Sequence, residues 1–394
     1  MDQYTKVLED FAQSISPESD SYERDLIKVA SSFRTFGAAF DDFLSEQGYN
    51  GSRDDVEQKA EYLKDKFRTA KVPMPRGIKE WFVSPRKIER KTAFQICFAF
   101  GLDLEETDDF FRRVYFERSF DCHCVEEAIY FFCIKNGFSF AEAETMLKEV
   151  PTVKQDKIPS GTEILYTGTI IENIKHLVDP KEMIAYLTEH ITQFGYNNVT
   201  ATGFIQSLWN QITKNEGLAY KEGLVIGRYD TTDTFITARP NDSQWNVLSQ
   251  ILGLDTYWHD RFSSTRSIKP ILLKNSLIPP LAEASFPDRD AINKALNNAH
   301  LSHERVRKLL ILLVFYSYWA KLVVEKQDIQ FIATDIQAEK CIFTINKYLL
   351  DAGYPELYMG NPYDWVFLWA TNDDFPLMTF RDYMKEIFAV KSEA

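Results

Sequence analysis

Glycine is scarce in this chain, 16 of 394 residues, which works against turn-rich all-β architectures. The five cysteines (97, 122, 124, 133 and 341) are odd in number and follow no framework spacing, so a disulfide scaffold is excluded and a reducing compartment is expected. Zinc ligation asks for paired C-x2-C or H-x3-H spacings. The chain offers only Cys122-His123-Cys124, with Cys133 inside an apolar stretch and no second pair, so buried cysteines acting as small hydrophobes are the better reading. The strongest apolar run, Leu309 to Ala320, is twelve residues and ends at Lys321, whereas a membrane span needs about 20. It reads as a buried helix. The polar start Met-Asp-Gln-Tyr has no basic-then-apolar leader layout, and the expected location is cytoplasmic.

Catalytic signatures are missing too. There is no H-E-x-x-H, no G-x-S-x-G, no phosphate-binding G-x-x-x-x-G-K-[ST] and no G-x-G-x-x-G. His300-Leu-Ser-His303-Glu304 could gather two imidazoles and a carboxylate, but Ser302 as a helix cap explains the same residues without chemistry. No metal, cofactor or catalytic residue is assigned. An enzyme assembled from some of the 58 acids remains a third reading that nothing in the pattern selects.

What is abundant is aromatic and helical. With 30 Phe and 19 Tyr, the chain reads as a succession of amphipathic helices, an all-α multi-helical protein. Expected helices include Tyr22 to Glu46, Asp54 to Ala70, Arg86 to Phe100 closed by Gly101, Leu104 to Phe116, Val125 to Asn136 closed by Gly137, and Phe140 to Val150. Pro151 to Gly161 reads as a linker. Asp179-Pro180 and Ser302 are strong helix starts, the second opening His303 to Val324. Asp335 to Ala352, Pro362 to Ala370 and Pro376 to Val390 complete the set. Gly217 to Pro240, with its glycines and threonines, is the poorest helix candidate and is expected to be a loop or small β-hairpin. The resulting organisation is a helical domain over 1–150, a linker and irregular middle over 151–265, and a helical domain over 266–394. Two segments, Glu127 to Cys133 and Asp364 to Ala370, share an acid followed by a solid apolar helix. That points to a faint internal duplication or to the ordinary similarity of apolar helices.

The most distinctive local feature is a basic island. Between Lys59 and Lys91 eleven Lys and Arg face four acids, a net of +7 within a chain of −13. Lys71, Arg76, Lys79, Arg86, Lys87, Arg90 and Lys91 are the candidate contacts to phosphate around a helix start, with base readout falling to Arg76 or Lys79. The alternative is a solvated face paired with Asp103, Glu105, Glu106, Asp108 and Asp109, or with the acidic N-terminal helices. A second candidate is the aromatic group Tyr354, Tyr358, Tyr363, Trp365, Phe367 and Trp369, which reads either as core or as a partner interface. In the second case Tyr358 and Trp365 are expected to be partly exposed.

Residues 32 to about 147 resemble a stretched, degenerate helix-turn-helix regulator of the phage-repressor (XRE-like) type. The likeness rests on Thr35-Phe-Gly-Ala-Ala-Phe-Asp-Asp-Phe-Leu44, Ile78-Lys-Glu-Trp-Phe82, and Phe94 to Thr107. Ala352-Gly-Tyr-Pro-Glu-Leu-Tyr358 and Asn361-Pro-Tyr-Asp-Trp365 resemble phrases of uncharacterised, mobile-element-associated bacterial proteins. The resemblance implies a regulatory protein that binds duplex DNA through 59–91, with the C-terminal part providing partner or self-association surfaces. The runner-up is an adaptor that binds only proteins, in a mobile-element or phage-related system.

Overall fold

Amphipathic stretches poor in glycine form helix throughout. The computed structural model describes residues 36–83, 88–151, 165, 167–195, 198–228, 244–253, 289–299 and 301–387, and among these there are helices and no strand. They are α1 (Phe36–Glu46), α2 (Val56–Thr69), α3 (Glu80–Val83), α4 (Arg90–Phe100), α5 (Leu104–Phe110, running on as a π-turn Phe111–Tyr115), α6 (Val125–Asn136), α7 (Phe140–Glu149), α8 (Thr167–Lys175), α9 (Pro180–Glu189), α10 (Val199–Thr213), α11 (Leu218–Ile226), α12 (Gln244–Leu252), α13 (Arg289–Leu296), α14 (His303–Lys326), α15 (Asp335–Asp351), α16 (Pro362–Thr371) and α17 (Pro376–Ile387).

The caps are those the sequence names. Asp179 accepts from the Lys181 amide beside Pro180, and Ser302 accepts from the Arg305 amide. Gly101 and Gly137 close α4 and α6 in the left-handed conformation that a Cβ would strain. One expected non-helix is a helix. α11 covers the first part of Gly217 to Pro240, because its buried Ala219, Glu222, Val225 and Ile226 supply tertiary contacts that outweigh the cost of Gly223. Residues 229–243, where the rest of the irregular or hairpin segment falls, lie outside the described residues, as do 152–164 of the expected linker.

The chain divides into two compact units, one built on Arg34–Thr200 with Asp351–Pro355, the other on Ala201–Leu350 and Glu356–Ala394. The first has an aromatic core. Phe40 stacks on Phe36, Phe43 and Phe82 and meets Trp81 and Phe110 edge-on. Gly37 permits this: a Cβ there would lie 2.8 Å from the Trp81 carbonyl oxygen. In the second unit, α14 packs against α11, α13 and α17, and its side chains from Val306 to Tyr316 are all buried.

The two segments suspected of duplication carry the same construction. Glu127 is the third residue of α6 and Asp364 the third of α16. Each buried carboxylate holds an arginine bidentately: Arg90 at 2.6 and 2.7 Å, Arg307 at 2.5 and 2.7 Å. Each accepts from the backbone N–H six residues earlier, Asp121 and Tyr358. Each arginine also donates to the carbonyl eight residues before the acid, Ser119 and Glu356. Sequence similarity between apolar helices does not require these matched offsets; a shared local architecture does.

Candidate interaction surfaces

Six of the nine described cations of the basic island pair with carboxylates of the same chain, most of them outside 59–91. Lys59 is 3% exposed, donates to Asp41 at 2.6 Å and lies over the Phe82 ring. Lys64 pairs with Glu61, Arg68 with Asp65, and Lys66 sits over the Tyr62 and Phe100 rings. Of the seven nominated residues, Arg90 is turned inward onto Glu127, Glu117 and two carbonyls, over the Phe94 and Phe111 rings. Burial alone would lower its pKa, but the Glu127 and Glu117 carboxylates hold it above the ordinary value. Its nomination as a phosphate contact is therefore corrected: a guanidinium with this many partners has none to offer. Lys79 pairs with Glu57 at 2.5 Å, and Lys91 bridges Glu126 at 2.8 Å and Glu144 at 3.2 Å. None of these acids belongs to the 103–109 cluster; Asp41 and Glu57 lie on the N-terminal helices, the other pairing the sequence offers. Lys71 and Arg76 are exposed and make no ion pair among the described residues. Arg86 and Lys87 lie outside those residues.

Of the Ile78–Phe82 segment that resembles the end of a recognition helix, Glu80–Phe82 lie in α3, with Trp81 buried against α1.

The aromatic group is core. Trp365 is 4% exposed and stacks on Trp369, and Tyr354, Tyr363 and Phe367 are buried; the partly exposed Trp365 is thus corrected. Tyr358 is half-buried, its amide donating to Asp364. The sequence gives the density of aromatics there, but not which side of the helix is covered.

The Cys-His-Cys segment is also interior. Among the described residues no cluster of His, Cys, Asp and Glu is placed to hold a metal ion. The His123 Nδ1–H donates to the Gln193 carbonyl at 2.8 Å. Burial pushes its pKa below 6.5, against the opposing pull of Asp121. The unfolded chain therefore binds this proton more readily, and His123's stabilising contribution, intact above pH 6.5, is lost as pH falls from there towards the depressed value. We expect stability to drop by up to about 1.4 kcal/mol per pH unit in that window. A His123→Asn variant should lack this component in urea titrations between pH 7.5 and 5. Burial likewise raises the five thiols, Cys124 and Cys133 to about 12, so none presents a thiolate near neutrality.

One surface was not anticipated. A reciprocal Thr334/Gln337 capping box starts α15, and Ala338, Cys341, Ile345 and Leu349 form its buried face. On the opposite side Ile336, Phe343 and Leu350 follow one another at seven-residue intervals, 63%, 70% and 54% exposed, continued before the helix by Ile332 at 66%. At 3.6 residues per turn this spacing makes one stripe. The same interval was present in the sequence, as a second apolar stripe on a helix whose first stripe already accounts for its burial.

Three comparisons with known proteins bear on identity: no family model matches the chain, and neither a curated protein nor a solved structure matches it.

Proposed function

We propose that this chain is a non-catalytic binding protein that acts as a protein–protein adaptor, with the outer face of α15 as its docking surface. The observation that carries this reading is the exposed Ile336–Phe343–Leu350 stripe. Single exposed hydrophobics are ordinary, but three in line over about 21 Å of helix form an apolar track suited to a partner. Burying each such side chain contributes about 1.5–3 kcal/mol. Phe343→Asp should leave the thermal midpoint within about 2 °C, since an exposed site far from caps and core changes stability little. The same variant should lose partners that the wild-type chain retains on affinity purification from its own cells. An unchanged set of partners would count against the reading.

A second reading, duplex DNA binding in keeping with the resemblance to helix-turn-helix regulators, draws support from exposed Lys71 and Arg76 between α2 and α3. If these two carry the contact, affinity should fall only about tenfold between 50 and 200 mM salt, not by the powers of ten that six phosphates bring. Binding to random duplex DNA across that series, beside Lys71→Ala/Arg76→Ala, checks it. A steep slope unchanged in the variant would place the contact elsewhere.

A further inference from the structure

We propose that the occupant of the α15 outer face is the same face of a second copy of this chain, with the two helices running parallel about a two-fold axis. This rests on the docking reading above and names its partner. A stripe repeating every seven residues is matched along its length by another of the same period, and the closest such match is the stripe itself: Ile336 on Ile336, Phe343 on Phe343, Leu350 on Leu350.

The flanking charges select both the partner and the direction. With 3.6 residues per turn, Lys340 and Lys347 fall on one flank of the stripe, with Asp351 at its C-terminal end, and Asp335 and Glu339 on the other. In a parallel pair Lys340 of each copy meets Asp335 and Glu339 of the other, and the two-fold makes every such contact twice. An antiparallel pair centred on Phe343 instead sets Lys340 of each copy against Lys347 of the other, which is penalised. The side chains of Asp335, Glu339, Lys340 and Lys347 are all exposed, and none makes an ion pair among the described residues. The basic island, where most cations already have intramolecular carboxylates, behaves differently.

The test replaces Phe343 with the photo-crosslinking p-benzoylphenylalanine in the full-length chain, illuminated in cells. A product at twice the chain's mass, identified as two copies by peptide mapping, is the expected result. A product with a different protein overturns the second-copy proposal and leaves the docking face standing; no product overturns both.

Sedimentation of the purified chain provides the orientation. Phe343→Asp should be monomeric with an unchanged circular dichroism spectrum, and Lys340→Glu/Lys347→Glu should raise the dimer Kd at least about tenfold by opposing like charges. The full exchange Asp335→Lys/Glu339→Lys/Lys340→Glu/Lys347→Glu should dimerise with itself yet not mix with wild type. Ready mixing of that variant with wild type would overturn the parallel arrangement, and a monomeric wild type at about 100 μM would overturn the pairing, because an interface of this class is formed well below that concentration.

Discussion

Glu222→Ala should cost about 3–5 kcal/mol of stability, a large share of the 5–15 kcal/mol typical of a folded domain. Glu222 is fully buried and holds Arg381 through both carboxylate oxygens at 2.7 and 3.1 Å. It also accepts from the Tyr316 hydroxyl at 2.7 Å and from the Gln250 amide at 2.6 Å. Removing the carboxylate leaves a guanidinium deep in the second unit without its counter-charge and strips two neutral donors of their acceptor. Burial, reinforced by the Glu222 charge, already holds the Tyr316 hydroxyl far above its ordinary pKa, so it stays a donor across the working range. The check is a urea titration followed by circular dichroism, with hydrogen exchange to locate the loosening in α11, α12 and α17. Combining Glu222→Ala with Arg381→Met should recover part of the loss, because the uncompensated charge leaves with the arginine. A single variant as stable as wild type would show that water reaches the site.

Asp364→Ala and Glu127→Ala should each cost about 3–5 kcal/mol, by one mechanism acting in two places. Both carboxylates bind an arginine bidentately and accept one backbone amide six residues back. Loss of either frees the same three donors: two guanidinium N–H groups and a loop amide. Replacing each pair by methionines, as in Arg90→Met/Glu127→Met, should be far milder, since hydrophobic residues of similar volume often substitute for a buried ion pair. Hydrogen exchange should place the first loss around α4 and α6 and the second around α14 and α16. If one carboxylate proves dispensable while its counterpart does not, the two constructions are alike in geometry only.

These locks also show where reading the sequence stops. Helix ends were legible because caps are local: Asp179-Pro180, Ser302, Gly101 and Gly137 act within a turn of the residues they close. The acids at 127 and 364 were legible as a pair, but their arginines lie 37 and 57 residues away, with no periodicity to link them. The pairing of the basic island was legible only in part for the same reason. Lys64–Glu61 is visible at three residues' separation, whereas Lys59–Asp41, Lys79–Glu57 and Arg90–Glu127 exist only once the helices pack. Trp365 and α11 failed differently: tertiary burial overruled the exposure expected of one and the glycine content of the other. The α15 stripe was in plain view, a matter of asking a helix what both of its sides do.

Buried thiols have a practical consequence. With Cys97, Cys122, Cys133 and Cys341 in the interior and Cys124 half-covered at a helix start, all with raised pKa, maleimide reagents should find almost no native target at neutral pH. A cysteine introduced at an exposed position such as Leu224 would then be the dominant label, so distances and rotational mobility could be read by fluorescence or spin resonance on the otherwise native chain, with none of its own cysteines removed.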